Sequence, residues 1–247
     1  MSNKKALIIA QAGLTTDLLH TTVAKHFDAV EIVLEASESK KTILKRRIKK
    51  LGLSKVIGQV LFMLFAHPFI PKRKDRIKAI LKDYNIQHQP LPIQQYQVNS
   101  VHDAALIEHI KKIDPDIIFI NGTRIIKAKV LSATQAKFVN IHVGITPSYR
   151  GVHGGFWAIK NGRTDLFGTT LHLVDTGIDT GAIIDQIILT PTKVDNFKTY
   201  PILQYCGGLK LIEKHVEALQ TNNIQPKSSL SEESHLYYHP TLLEFVR

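Results

Sequence analysis

Apolar residues recur in two different periods along this chain, and the two alternate. "KALIIA" (5–10) is a short continuous apolar run, which reads as a buried strand of a parallel sheet. After Gly13, Leu14, Leu18, Leu19 and Val23 recur at helical spacing. "AVEIVLEA" (29–36) reads as a second strand and "IQHQPL" (86–91) as a weaker third. "VHDAALIEHIKKI" (101–113) is helical and ends at Asp114-Pro115. "DIIFIN" (116–121) is another buried strand, and Gly122 turns the chain. Strands alternating with helices predict an α/β fold: an open, mostly parallel, Rossmann-like sheet flanked by helices.

The texture changes after residue 138. "FVNIH" is strand-like, and "GGFWAIKNG" (154–162) suits a short helix closed by Gly162. "GTTLHLVD" (168–175) and "GAIIDQIIL" (181–189), joined by "TGIDT", predict a short β-hairpin in the C-terminal part. Apolar spacing from Ile202 through Leu219 predicts a C-terminal helix, followed by a tail.

Composition narrows the class. With 44% hydrophobic residues among 247, the chain can bury a core, which excludes wholesale disorder. The lone cysteine, Cys206, allows no intrachain disulfide and reads as a small core residue. "MSNKKALIIAQAG" lacks the layout of a signal peptide, so a cytoplasmic protein is expected. The formal charge of +11 is unevenly spread. Between Lys40 and Lys82 stand 14 Lys and Arg and one acid, Asp75, a local net of +13; the other 204 residues sum to −2.

Within that segment Leu44, Ile48 and Leu51 make "KKTILKRRIKKLGLSK" an amphipathic helix with a cationic face. "VIGQVLFMLFAHPFI" (56–70) is more apolar, but its 15 residues fall short of the roughly 20 that cross a bilayer. Three readings stand: a solvated helix followed by a buried one, a face toward an anionic substrate, or peripheral membrane contact through 40–70.

The candidate chemistry lies in "FVNIHVGITPSYRG" (138–151). Alternate strand residues share a face, so Asn140 and His142 point one way and Val139, Ile141 and Val143 the other. Two N–H donors aimed at one point suit an oxyanion. Two buried polar groups satisfied by neighbouring loops would read the same way. A carboxylate would orient the imidazole or move a proton. Asp179 in "DTGIDTG" is the candidate, on a turn bracketed by Gly177 and Gly181, where aspartates also serve as plain turn formers. His142, His153 and His172 lack helical i, i+4 spacing and there is no Cys cluster, so no metal site is expected.

"NIH" and "P-YRG", followed by "GTTLHLVDTGIDTGAII", together resemble the folate-dependent formyltransferases, with the similarity running from Asp114 to Leu189. That family includes glycinamide ribonucleotide formyltransferase, methionyl-tRNA formyltransferase and the sugar N-formyltransferases. The resemblance implies transfer of a formyl group from 10-formyltetrahydrofolate to an amine. It implies that Asn140 and His142 stabilise the oxyanion and that Asp179 supports His142 and the proton transfer. It further implies that "NGTRII" (121–126), with Thr123, Arg124 and Ile126, and the turn from Asp175 to Asp179 hold the pterin ring through backbone groups. Tyr149 and Arg150 are the implied substrate contacts, and no metal is implied.

Departures from the family pattern bear on the acceptor. "GIT" (144–146) replaces the Ser-Leu-Leu of many members, which implies the same turn with altered substrate contacts. "AQAGLTTDLL" replaces the Gly- and Ser-rich phosphate loop of the ribonucleotide enzyme. The additional C-terminal domain of the methionyl-tRNA enzyme is not expected here. The sugar enzymes fit best, so the expected partner is a small amine, a nucleotide-linked amino sugar of cell-surface polysaccharide biosynthesis, and no nucleic acid. Alternatives are a formyltetrahydrofolate hydrolase, a glycinamide ribonucleotide formyltransferase, or a basic nucleic-acid- or membrane-binding module. The expected organisation is a catalytic domain over 1–197, with the basic helical insertion at about 40–82, and a C-terminal helix and tail over 198–247 packed on it. The sequence leaves the oligomeric state open, with a homodimer as one option.

Overall fold

The computed structural model describes residues 3–247. Its strands are β1 (Lys5–Ala10), β2 (Ala29–Glu35), β3 (Tyr96–Val98), β4 (Ile117–Asn121), β5 (Lys137–His142), β6 (Arg150–Gly151), β7 (Gly168–Leu173), β8 (Ile183–Ile188) and β9 (Leu236–Tyr237). Seven of them form one sheet in the order β3-β2-β1-β4-β5-β7-β8. Strands β3 to β5 in that order run parallel. The last two pairings, β5 with β7 and β7 with β8, are antiparallel, and the short 174–182 turn joins β7 to β8 as a hairpin.

The helices are α1 (Leu14–Val23), α2 (Lys40–Leu51), α3 (Leu53–Phe65), α4 (Lys74–Asp83), α5 (Ala104–Ile113), α6 (Ala128–Leu131), α7 (Gly154–Lys160), α8 (Tyr200–Lys214), α9 (Val216–Gln220) and α10 (Leu242–Val246). Successive strand residues feed two cores, one on each face of the sheet. Ala6, Ile8, Phe119, Val139 and Ile141 pack with Leu18 of α1, Trp157 of α7 and Leu209 of α8. Leu7, Ile9, Ile118, Ile120 and Phe138 pack with Leu106 and Ile110 of α5 and Val130 of α6. Burial on both faces is why these strands read as unbroken apolar runs.

Helix α8 lies so close to the sheet that a Cβ on Gly208 would stand 2.3 Å from Ile141. Cys206 is wholly buried beside it, and burial pushes its thiol up to about 12, so it is packing and not a nucleophile. The helical pattern of 202–219 is two helices, α8 and α9, with His215 between them.

One expectation needs correction. Residues 86–91 are not a strand; the third strand is the short edge element β3. Pro90 and Pro92 remove backbone donors just where a ladder would need them. The expected β7–β8 hairpin is present and completes the main sheet at its antiparallel end.

The basic segment forms α2, α3 and α4. Helix α4 is tied to the body by Arg76, whose Nε and Nη2 each donate to an Asp195 oxygen at 2.9 Å. The Asp195 side chain is fully buried. Its burial alone would raise the carboxyl, but Arg76 and hydrogen bonds from Thr192 and Thr199 outweigh it and hold the carboxyl below the ordinary range.

Asp195→Ala should cost about 3 kcal/mol, because it removes the two-point partner of Arg76 and leaves it only the looser contact with the exposed Asp83 at 3.6 Å. The folded carboxyl is depressed, so its contribution is complete above the unfolded value near about 4 and fades as pH falls through the folded one. Urea unfolding should therefore show wild type losing stability on acidification toward pH 3 more steeply than Asp195→Asn. Parallel pH profiles would contradict this role.

Candidate active site

A cavity of about 520 Å³ opens at the C-terminal ends of β4 and β5, where sheets of this type place ligands. Phe138, Asn140 and His142 share one face of β5. Phe138 packs in the core with α5, and the two polar residues, further along the strand, line the cavity. The interruption of an apolar strand by an amide and an imidazole is thus the point where a buried strand reaches a cleft.

Strand β7 sets the next partner. Asn140 pairs across the ladder with His172, and His142 with Thr170. Burial, and the nearby His142, lower the pKa of His172 and favour the neutral ring. Its Nδ1 lies 2.7 Å from the Leu173 carbonyl, which can only accept, so Nδ1 carries the proton. Nε2 is then a bare acceptor, and the Asn140 amide N–H donates to it across 3.2 Å. The second N–H of Asn140 has no partner among the described residues. A neutral His172 also means that its 3.8 Å approach to Asp179 is proximity and not an ion pair. Sequence reasoning weighed His172 only as a metal ligand. The available signal was the antiparallel adjacency of two strands with polar residues at alternate positions.

Asp179 reaches the same cleft from the β7–β8 turn. It adopts the left-handed backbone at φ 51°. Asp175 organises this turn by accepting from the Gly177 N–H at 2.9 Å and the Thr180 hydroxyl at 2.8 Å. Asp179 Oδ2 accepts from the Gly151 N–H at 2.8 Å and stands 3.3 Å from His142 Nδ1. On its other side, His142 Nε2–H donates to the Tyr149 carbonyl at 2.6 Å. Both ring nitrogens are therefore engaged, and a proton on Nδ1 lies beside a carboxylate. Gly144 makes room for this, since a Cβ there would stand 2.5 Å from the Tyr149 carbonyl and 2.8 Å from His142 Nε2.

The 121–126 loop lines the cavity with Thr123, Arg124 and Ile126, and Asp175 lines it too. Arg124 serves it indirectly. Its guanidinium is paired with the buried Glu35 and also donates to the Asn99 carbonyl at 2.9 Å. Its backbone N–H donates to Glu35 at 2.9 Å and so is not free for a ligand. Glu35, at the end of β2, therefore holds the loop in place, a role that its position in an apolar strand did not reveal. Among the described residues no group of three metal-ligating side chains stands together.

Tyr149 and Arg150 turn to different surroundings. The Tyr149 ring is buried and stacks on Tyr237 at 5.3 Å, so Tyr149 reaches the site through its carbonyl alone. Arg150 instead lines a second cavity of about 510 Å³ with Asp179, Lys227 and Ser234. Its Nη1 donates to the Ile178 carbonyl at 3.3 Å, while its buried Nε has no partner among the described residues. The two cavities share Asp179. Neither is lined by any residue of 40–82.

The His172 assignment has a direct readout. Nitrogen NMR shifts should show its ring neutral, with the proton on Nδ1, at pH 6, below the ordinary imidazole value of about 6.5. A doubly protonated His172 at that pH would break the donor chain to Asn140.

The family model described as formyl transferase matches residues 4–199. Methionyl-tRNA formyltransferase from Clostridium beijerinckii is 29% identical over 194 residues, which are 76% of this chain and 59% of that protein. The chain's match thus spans under two thirds of that relative. The solved structure of a sugar N-formyltransferase from Shewanella aligns with 95% of this chain and 76% of that one, with TM-score 0.59 and 18% identity. Phosphoribosylglycinamide formyltransferase from Anaplasma phagocytophilum aligns over 95% and 96%, with TM-score 0.58 and 16% identity. The family match covers most of the chain and includes Asn140, His142 and Asp179: the chain belongs to the formyltransferase family.

Proposed function

We propose that this chain transfers the formyl group of 10-formyltetrahydrofolate to the amine of a nucleotide-linked amino sugar. The observation that carries the proposal is the convergence of Asn140, His142 and Asp179, from a strand and a distant turn, on one cleft. The folate, when bound, supplies an activated formyl carbon. The apolar wall of Ile120, Ile126, Val143 and Val174 fits a flat ring. The backbone of the 121–126 loop and of the 174–179 turn fits its polar edges.

The residues divide the work by their chemistry. The free N–H of Asn140 donates to the formyl oxygen as negative charge grows there. His142 brings positive charge beside the same oxygen when its Nδ1 is protonated. Asp179 accepts the proton that the attacking amine must lose, directly or through water, and that proton balances the folate nitrogen released when its bond to the formyl carbon breaks.

The cavity beyond Asp179 supports an anionic acceptor. Arg150 lines this cavity, and a guanidinium matches the geometry and charge of a phosphate. Lys227 stands on the same wall, although it already contacts Asp185 at 3.0 Å. The solved sugar N-formyltransferase supports the same acceptor class. A methionyl-tRNA acceptor is the second reading, favoured by the 29% identity over 194 residues.

A substrate panel decides between them. Nucleotide-linked 3-amino and 4-amino sugars, methionyl-tRNA and glycinamide ribonucleotide are each assayed with 10-formyltetrahydrofolate, and formate release is measured without any amine. Turnover with a sugar nucleotide alone is expected. Formate release as the only product would replace transfer with hydrolysis.

Asn140→Ala and His142→Ala should each lower turnover by at least about 100-fold, the usual effect of losing an oxyanion donor. Their unfolding midpoints are the control, and near-normal turnover in either would remove the assigned role. Arg150→Gln should raise KM for the sugar nucleotide more than it lowers kcat, because a phosphate contact serves ground and transition states alike. An unchanged KM would move the phosphate elsewhere.

A further inference from the structure

Helix α3 has two unlike faces. Val56, Gln59 and Phe62 are buried. Phe62 packs on Phe245 of α10 at 4.9 Å and on Phe197 at 5.3 Å, and Gln59 donates to the His239 carbonyl at 2.8 Å. The opposite face carries Leu53, Ile57, Val60, Leu61 and Leu64, all exposed. Their spacing puts them on one stripe. Phe65 beside them is 63% exposed and Phe69 just beyond is 80% exposed. The reading of 56–70 as a buried helix therefore holds for one face only.

Cations border this stripe on both sides in the chain. Helix α2, which buries no residue, presents Lys41, Lys45 and Lys49 ahead of it. Lys72, Arg73 and Lys74 follow it and are exposed. Among the described residues, only Arg46, Lys55 and Arg76 of segment 40–82 take part in ion pairs. The segment's net charge of +13 is thus largely uncompensated.

We infer that α2 and α3 dock this protein on the surface of an anionic lipid bilayer, with the α3 stripe at the boundary between headgroups and acyl chains and the cations among the headgroups. An aliphatic stripe flanked by Lys and Arg matches that interface in both polarity and charge. A helix of 13 residues is about 20 Å long and lies in the plane. Among the described residues no single helix is long and apolar enough to cross a membrane. Charge argues against a second copy of this chain as the cover, since mating two such faces would oppose two segments of +13. Composition argues against RNA, because Leu53, Ile57, Val60, Leu61 and Leu64 give a stripe of five exposed aliphatic side chains that stack on no base, and the two exposed rings, Phe65 and Phe69, stand only at its end. The inference stands apart from the identity of the acceptor.

The test is flotation of the full chain with vesicles of phosphatidylglycerol and phosphatidylcholine, against phosphatidylcholine alone, in about 0.1 M salt. Wild type should float with the anionic vesicles and only weakly with the neutral ones. The combined variant Ile57→Ser, Leu64→Ser, Phe65→Ser keeps every charge and should lose binding at least about tenfold. Lys41→Gln, Lys45→Gln, Lys49→Gln keeps the stripe and should lose about 100-fold. All six positions are exposed and outside both cavities, so unfolding midpoints and formyl transfer to a soluble acceptor should stay unchanged. Equal binding by the Ser variant and wild type would overturn the inference and leave a general polyanion patch, with bulk tRNA as the comparison. Failure of wild type to float would overturn it too, and light scattering that finds a dimer dissolved by the Ser variant would identify another copy as the cover.

Discussion

The antiparallel pairing of β5 with β7 is the constraint on which the site depends. It sets Asn140 opposite His172 and so supplies the acceptor that orients the amide. It sets His142 opposite Thr170, whose hydroxyl donates to the Gly144 carbonyl at 2.8 Å and accepts from the Thr146 N–H at 3.0 Å. The turn after β5 is therefore built on β7. A slip of one residue would turn Asn140 and His142 into the apolar core and bring Val139 and Ile141 to the cleft. The same pairing delivers the β7–β8 turn, and with it Asp179, to His142.

A second support comes from the C-terminal segment, beyond the matched family region of 4–199. Strand β9 pairs with β6. Ser229 donates to the Thr146 carbonyl at 2.6 Å, the His235 N–H donates to Pro147 at 3.1 Å, and Tyr237 stacks on Tyr149. Tyr149 accepts from His142, and Gly151 donates to Asp179. The 146–152 loop is thus held from behind by the segment that reads as a tail. Each hydrogen bond contributes only about 1 kcal/mol, but together they fix a loop that touches His142 and Asp179.

How much was legible follows from range. The alternating apolar runs at 5–10, 116–121 and 138–142 identify buried strands because the sheet is covered on both faces. Asn140 and His142 stand out because polar residues in such a run need a reason. The Asp179 assignment required the resemblance, since an aspartate in a glycine turn looks the same whether it serves the turn or a distant imidazole. His172, Glu35 and the 229–239 segment were missed for one reason. Each acts through partners at least 30 residues away, His172 to Asn140 and Glu35 to Arg124 among them. Periodicity reports the local environment and carries no such pairing. Tyr149 shows a further limit of local reading: a residue beside a motif can reach it through its carbonyl while its side chain packs elsewhere.

The central claim is that a formyl group sits against Asn140 and His142 with Asp179 across from it. The most direct measurement is a crystal structure of this chain with a folate analogue whose formyl group is not transferred. The account predicts Asn140 Nδ2 at about 3 Å from the formyl oxygen, with the ring between the 121–126 loop and the 174–179 turn. A folate bound outside this cleft, or with its formyl oxygen directed away from Asn140 and His142, would contradict it.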